Sequence, residues 1–494
     1  MDRRTFLRLT GLGATGMLGA LAGCGNRSGG QNTPIRDWSA ENPLRIPVEL
    51  RPNGPERAYD LELRPGRTAF LAGHPTPTWG VNGSYLGPTL RMRRGDRVTV
   101  NVQNNLPEET TLHWHGMRLP PASDGGPHQT IPPIGRWQPS WEVVNSASTS
   151  WYHPHPHGAT AQHVFRGVAG MIIIDDDDER RLALPRSYGV DDIPVILQDR
   201  SIDADGQVEW ETESNFGQLG SDMLVNGTMN AYLDVTTRRV RLRLLNASNA
   251  RLYHVGFADG RRFAMIAGDD GLLPAPVELD RVTLGPAERA EIVVACAPGE
   301  RVLMDTAAGD ERIDEGAYAL LELRSAASLE DVPEVPTRLG GAPPIVPPAG
   351  ATVRHFTLKG HDAINGQGMD LTRIDEVVPA NAVEIWEVEN NVYSHNFHIH
   401  GVSFTILDRD GRPPHAWETG RKDTVHVPEN SSVRLAVQFS GFVDPALPYM
   451  YHCHILRHED EGMMGQFLVV EPGTEASTPR SIPAPSGDHS GHAS

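Results

Sequence analysis

Cysteine is scarce in this chain, with three residues in 494. So few thiols cannot staple a fold of this length, and no disulfide framework is implied. Basic charge is also in deficit, 44 Lys and Arg against 63 Asp and Glu, for a formal net charge of −19. That balance disfavours nucleic acid as a partner; it serves solubility first and only weakly favours cationic substrates. Long apolar runs are missing too: the weakly apolar Leu9 to Ala22 is too short to span a membrane comfortably. In place of long helical patterns stand 50 Gly and 40 Pro, which point to many turns and short strands, hence mostly β structure. A soluble chain of 494 residues exceeds what one hydrophobic core supports, and three domains are the natural first division.

The first 24 residues read as an address. Asp2-Arg3-Arg4-Thr5-Phe6-Leu7-Arg8 resembles a twin-arginine export signal, and Leu21-Ala22-Gly23-Cys24 resembles the lipobox of bacterial lipoproteins. Together they imply handling by the twin-arginine machinery and an exported, periplasmic or cell-surface protein. Its only hold on the membrane would be a lipid on Cys24. Residues 25–43 are polar and carry no period, as a tether would.

Beyond them, Arg97-Val98-Thr99-Val100-Asn101-Val102 alternates apolar and polar residues, the period of a half-buried strand. The phrase returns before Asn246 and Asn390, which with Asn104 are spaced 142 and 144 residues apart, the length of a domain. We therefore read one β unit repeated three times: residues 44–178, 190–327 and 351–472, with a proline-rich linker at 328–350 and a disordered tail at 473–494. His489 and His492 in that tail read as a loose pair and nothing more. Cys296, in an apolar strand-like run, reads as a small buried hydrophobe.

Ten of the 21 histidines fall in four clusters: His113-Trp114-His115, His153-Pro154-His155, His395-Asn396-Phe397-His398-Ile399-His400, and His452-Cys453-His454 with His458 following. On a strand, residues i and i+2 share a face, so each His-x-His pair aims two imidazoles at a common point. Imidazole suits copper, iron, zinc and nickel alike. Cys453 decides among them. Its side chain must face away from those of His452 and His454, toward a second site that His458 and Met463 reach after a short loop. His395, odd in register to His398 and His400, turns there too. Two His, one Cys and a weak axial Met make a blue (type 1) copper set. The eight remaining clustered histidines suffice for three more coppers.

With these motifs the chain resembles the three-domain multicopper oxidases, the family of laccases, bilirubin oxidase and bacterial cuprous oxidase. The resemblance implies an all-β fold of three consecutive cupredoxin-like Greek-key sandwiches, a monomer, and four coppers. Carried over by motif, His113 and His398 would hold the type 2 copper, and His115, His153, His155, His400, His452 and His454 the type 3 pair. It also implies that Asp124, in Ser123-Asp124-Gly125-Gly126, and Glu459 relay protons, although Asp124 taken alone would be an ordinary turn residue. The reaction would be one-electron oxidation of phenols, aromatic amines or metal ions coupled to four-electron reduction of dioxygen to water. The reductant would donate across an exposed edge of His458.

Only Met304 and Met369 occur between residues 300 and 390, and Asn391 and Tyr393 precede His395. That favours laccase-like organic specificity over a cuprous oxidase of copper tolerance, which would use soft thioethers for Cu(I). Two further alternatives are a copper-free structural periplasmic protein, like division-associated relatives that have lost their ligands, and a copper-binding protein without turnover.

Overall fold

Strand Arg97–Asn104 buries every second residue, Val98, Val100, Val102 and Asn104, and leaves the others partly or fully exposed. Its counterparts are Arg239–Asn246 and Val383–Asn390. Each of the three lies parallel to a neighbour, Ala58–Leu71, Asp192–Arg200 and Val353–Lys359 respectively. Each also ends on the repeated asparagine, and the three side chains do the same work. The Oδ1 atoms of Asn104, Asn246 and Asn390 accept from the backbone N–H two residues on, at 2.9, 3.0 and 3.1 Å. Their Nδ2 groups donate to carbonyls across the turn, of Ile131, Leu284 and Val427. A buried amide that closes several backbone hydrogen bonds fixes the end of a strand, because each of those groups would be costly to leave unpaired.

The computed structural model describes residues 38–54, 57–211 and 214–484. Six sheets are built from them, two for each repeat. The second sheet of each repeat again holds a parallel pair: Thr89–Arg93 with Gly170–Asp175, Ala231–Thr237 with Tyr318–Glu330, and Glu376–Pro379 with Met464–Val470. Three large hydrophobic cores fill the space between paired sheets, around Trp114 and Trp141, around Leu242 and Val282, and around Trp386 and Phe467. The fold is all-β, three consecutive cupredoxin-like Greek-key sandwiches. In this common plan His113–His115, Tyr253–Phe257 and His395–Ile399 are equivalent strands, each antiparallel to the strand that carries the second histidine motif or its counterpart, Ser148–His153, Arg301–Ala307 and Asp444–Cys453. The histidine motifs of the outer repeats thus occupy equivalent strands, where the middle repeat has only His254.

Among the described residues helix is confined to short pieces, α1 (Thr160–Arg166), α2 (Asp177–Arg180) and α3 (Leu456–Asp460), plus single 3₁₀ turns. No helix among the described residues is long and apolar enough to cross a membrane. The residues read as an export signal, Cys24, most of those read as a tether and the final residues with His489 and His492 lie outside the described residues.

Three expected spans differ in detail. Residues 38–43 do not behave as free tether: Trp38 Nε1 donates to Asn230 Oδ1 at 2.8 Å, and Asn42–Pro43 pair with Ala231–Tyr232, so Leu44 enters the middle core. The linker is shortened at its start and partly buried along its length. Strand Tyr318–Glu330 runs into it, and Leu339 and Ile345 are buried. The start of the expected disordered tail is held as well, since Ser481 bridges Arg373 and Ile482 packs on Ile374 and Leu468. In all three, a few apolar side chains find cover on a neighbouring sheet that composition alone does not reveal.

Candidate metal centre

Strands His395–Ile399 and Asp444–Cys453 pair with Phe397 opposite Cys453 and His398 opposite His452. This register turns alternate side chains to two separate places. On one side His395 Nδ1 lies 3.4 Å and His458 Nδ1 3.5 Å from Cys453 Sγ, with the two ring nitrogens 3.2 Å apart. The other ring nitrogens donate to backbone carbonyls, His395 Nε2 to Val392 and His458 Nε2 to Asn215, which leaves both Nδ1 lone pairs free for a metal. Met463 is fully buried beside them, its N–H donating to His458 O and its carbonyl accepting from Cys453 N. Burial pushes the Cys453 thiol up to about 12, so an ion binding there must displace its proton.

The expected exposed edge of His458 is not found. The ring is fully buried because the chain around Asn215 crosses it, and the Nε2–H donates to Asn215 O at 2.8 Å. Asn215 itself is exposed and its amide reaches the Tyr393 hydroxyl. Solvent is therefore met one peptide group beyond the imidazole.

The other eight histidines converge between the first and third repeats, all of them buried. They sort into His155, His400 and His452, into His115, His153 and His454, and into His113 and His398 with His115 close by. In the first triad His155 Nε2 and His400 Nε2 lie 3.1 and 3.2 Å from His452 Nε2. Their Nδ1 atoms face Glu459, Asp124 and the Cys453 carbonyl respectively. His113 and His398 mirror each other: Nδ1 donates to a backbone carbonyl at 2.8 Å, of Asp124 and Asp423, and Nε2 is left free.

Sequence reasoning missed the groups that orient these rings. Asp423 accepts from Arg289 at 2.8 and 2.5 Å and lies 3.2 Å from His115 Nε2. Arg289 is contributed by the middle repeat and is fully buried, so the ligand-free repeat braces the cluster through a paired charge. Nothing local in Lys422-Asp423-Thr424 signals that role. Asp124 Oδ2 accepts from His400 Nδ1 at 2.7 Å, and the Glu459 oxygens lie 3.2 Å from His155 Nδ1 and His452 Nδ1, without hydrogen-bond alignment. Burial raises both carboxyls well above the usual range. His163, also buried, lies outside these groups, its Nδ1 bonded to the Thr110 hydroxyl at 2.9 Å.

Whether copper fits can be judged from atoms left over. The Nε2 atoms of His113 and His398 and both ring nitrogens of His454 are buried with no hydrogen-bond partner, an expense that native interiors avoid. Each belongs to one of the convergent groups, and a thiolate with imidazoles at the fourth is a copper donor set. The residues fit.

These rings also set a pH dependence. Burial lowers His452 and His458 to about 4 and His113 to about 3, below the ordinary value near 6.5. The unfolded chain then takes up protons that the folded chain refuses. Stability of metal-stripped protein should be full above about pH 6.5 and fall toward pH 4, by up to about 1.4 kcal/mol per pH unit for each ring. Melting curves at pH 7, 6 and 5 with and without copper check this. A stripped protein whose Tm is level across that range would show that the rings are not buried neutral.

Comparison with known proteins agrees with this geometry. Sequence profiles described as multicopper oxidase match residues 62–179 and 345–473. The chain is 33% identical over 448 residues to the multicopper oxidase mco of Staphylococcus aureus, covering 88% of this chain and 94% of that protein. It is also 35% identical over 485 residues to the cell division protein FtsP of Xenorhabdus nematophila, covering 96% and 99%. A solved structure of a bacterial laccase-like multicopper oxidase, CueO from Ochrobactrum sp., superposes with TM-score 0.81 at 35% identity, covering 87% of this chain and all of that one. A laccase from Pediococcus acidilactici does so with TM-score 0.80 at 38% identity, over 87% and 94%. With a shared fold, identity of this level along nearly the whole chain and convergent histidine groups suited to copper, the chain belongs to the multicopper oxidase family.

Proposed function

We propose that this chain is a laccase-like oxidase that takes electrons singly from a small organic reductant and delivers them to dioxygen. The observation that carries the reading is the tripeptide His452-Cys453-His454. Cys453 serves one candidate site, and the side chains on either side of it serve the two triads of the other. Copper, when bound, would supply the one-electron redox chemistry at both. We assign His395, Cys453, His458 and Met463 to a type 1 ion, His113 and His398 to a type 2 ion, and the two triads to a type 3 pair. The residues' own contribution is placement. Covalent bonds of one strand link the cysteine sulfur to His452 and His454, and the electron needs no mobile carrier. Asn215 and Tyr393 stand where a reductant would dock, and their amide and phenol groups suit an organic molecule better than a soft Cu(I) ion. Asp124 and Glu459, buried beside the triads, are assigned to supply protons for water formation.

The second reading comes from FtsP, a cell division protein by name. A structural role there would need no metal, yet the unpartnered Nε2 atoms of His113 and His398 speak for one. The chain's export, lipid attachment at Cys24 and division at 44–178, 190–327 and 351–472 complete this proposal. The test is copper content together with oxygen uptake on copper-loaded protein, over a panel of phenols, aromatic amines and Cu(I). We expect about four coppers per chain, a strong blue absorption, and uptake driven by organic reductants without accumulating peroxide. Colourless loaded protein, or protein that binds a single ion, overturns the oxidase reading.

A further inference from the structure

Four of the five buried arginines among the described residues have carboxylate partners: Arg241 with Glu291, Arg243 with Asp192, Arg251 with Asp199 and Arg289 with Asp423. Arg200 departs from the rule. It is 1% exposed, and its guanidinium donates to the carbonyls of Asp199 and Phe165 and to the Tyr85 hydroxyl, but among the described residues no carboxylate pairs with it. The neighbouring Asp199 carboxylate is engaged by Arg251 through Oδ2, and its Oδ1 is buried without a hydrogen-bond partner. Two donors here are buried without an acceptor, Arg200 Nε and the Nε2 group of Gln198, whose Oε1 is held by Tyr85. A guanidinium taken out of water with neutral partners only is poorly compensated.

Arg200 lines a cavity of about 390 Å³ at the seam between the first and middle repeats. Arg166, also without a carboxylate partner among the described residues, lines it as well, its guanidinium 4.4 Å from the centre of the Trp79 ring. The rest of the wall is mixed, with aromatic side chains beside the polar Thr76, Thr78, Gln162 and Gln207. Phe165 lies under the Arg200 guanidinium at 4.4 Å and meets Trp210 edge to face at 4.9 Å, and Trp210 is 37% exposed at the mouth. None of the candidate copper ligands lines this cavity. It stands one helix away from them: α1, which carries Phe165 and Arg166, presents the amides of Thr160 and Ala161 to Asp460 at the end of α3.

We propose that this cavity is an accessory binding site for a planar aromatic anion of the aryl carboxylate class. Arg166 offers a guanidinium with no carboxylate partner among the described residues, in the planar fork that suits a carboxylate, and Arg200 adds its charge and its unpaired Nε–H. Phe165, Trp79 and Trp210 supply the aromatic surface, and the volume suits one small ring system. The site goes beyond the oxidase reading and does not depend on it, because no copper ligand takes part.

Calorimetric titration of the copper-loaded full chain with benzoate, benzyl alcohol and acetate tests the proposal, with tryptophan fluorescence followed in parallel. We expect benzoate to saturate one site and the other two to bind at least tenfold more weakly. Arg166→Ala and Arg200→Lys should each weaken benzoate by roughly ten- to a hundredfold, the loss of a charge-assisted contact. Trp210→Ala should weaken it and abolish the fluorescence change. Copper content and oxygen uptake should stay as in the wild type for Arg166→Ala and Trp210→Ala. Equal affinity for benzyl alcohol would reduce the cavity to an apolar hole, and equal affinity for acetate to a bare anion site; either result overturns the proposal. So does benzoate binding that survives Arg166→Ala and Trp210→Ala unchanged, which would put the ligand at the metal centre. Should Arg200→Lys fail to fold, the two outer variants carry the test.

Discussion

Cys453→Ser is expected to lower copper content from about four to about three per chain, remove the blue absorption and bring turnover with every reductant to background. The size of the effect follows from the register of one strand. Cys453 sits opposite Phe397 in the third core and is fully buried, so its side chain reaches only the His395 and His458 side of the sheet. Serine fills nearly the same space and keeps the fold, but its hydroxyl holds its proton far more tightly than a thiol and is a poor copper ligand. The covalent route to His452 and His454 then begins at an atom that carries no redox partner. The eight-histidine cluster makes no use of the sulfur, so its metal should remain. Metal analysis and the visible spectrum of the loaded variant decide the matter. Retention of the blue band, or loss of all copper together, would show that the two sites are not built as assigned.

The second large effect is expected on the oxygen side. Glu459→Gln and Asp124→Asn should leave copper content and the blue band intact and slow reoxidation by dioxygen by roughly 10² to 10⁴, the range for loss of a general acid. Both groups are buried, and burial raises both carboxyls well above their usual range, the direction that favours the protonated form. Their neighbours differ. Asp124 accepts from His400, whereas Glu459 lies between His155 and His452 with neither oxygen in a hydrogen bond. A role limited to positioning the rings would change copper affinity and spectrum and leave the pH profile of reoxidation alone. Stopped-flow traces should separate the possibilities: reduction of the blue centre near the wild-type rate, then slow reoxidation with an altered pH profile and a solvent isotope effect. Variants that lose colour slowly but reoxidise normally would reverse the assignment.

Much of this design is local, and so was readable. Alternation in Arg97–Asn104 prescribes a half-buried strand, and the spacing of Asn104, Asn246 and Asn390 exposes the repeat because each asparagine locks its own turn with groups nearby. His-x-His pairs and Cys453 announce two faces of a strand, since side-chain direction has period two whatever the rest of the chain does. The middle repeat shows the same rule by loss, with His254 at the equivalent position tied to Asp314 and Thr283 instead of to a cluster.

What the linear order could not contain is which distant groups meet. The eight histidines could be counted, but their division into His155, His400 and His452 against His115, His153 and His454 depends on how the first and third repeats dock. Arg289 under Asp423, Asn215 over His458 and Arg200 beside an open aromatic cavity are contacts between repeats, set by the packing of whole sheets and invisible to any short window. The sequence by itself determined the strands, the repeat and the metal-binding residue types, because backbone period and donor chemistry are local properties. Tertiary structure alone decided which rings converge, which edge is closed to solvent and which charge is left without a carboxylate, because burial and electrostatic pairing belong to the assembled interior.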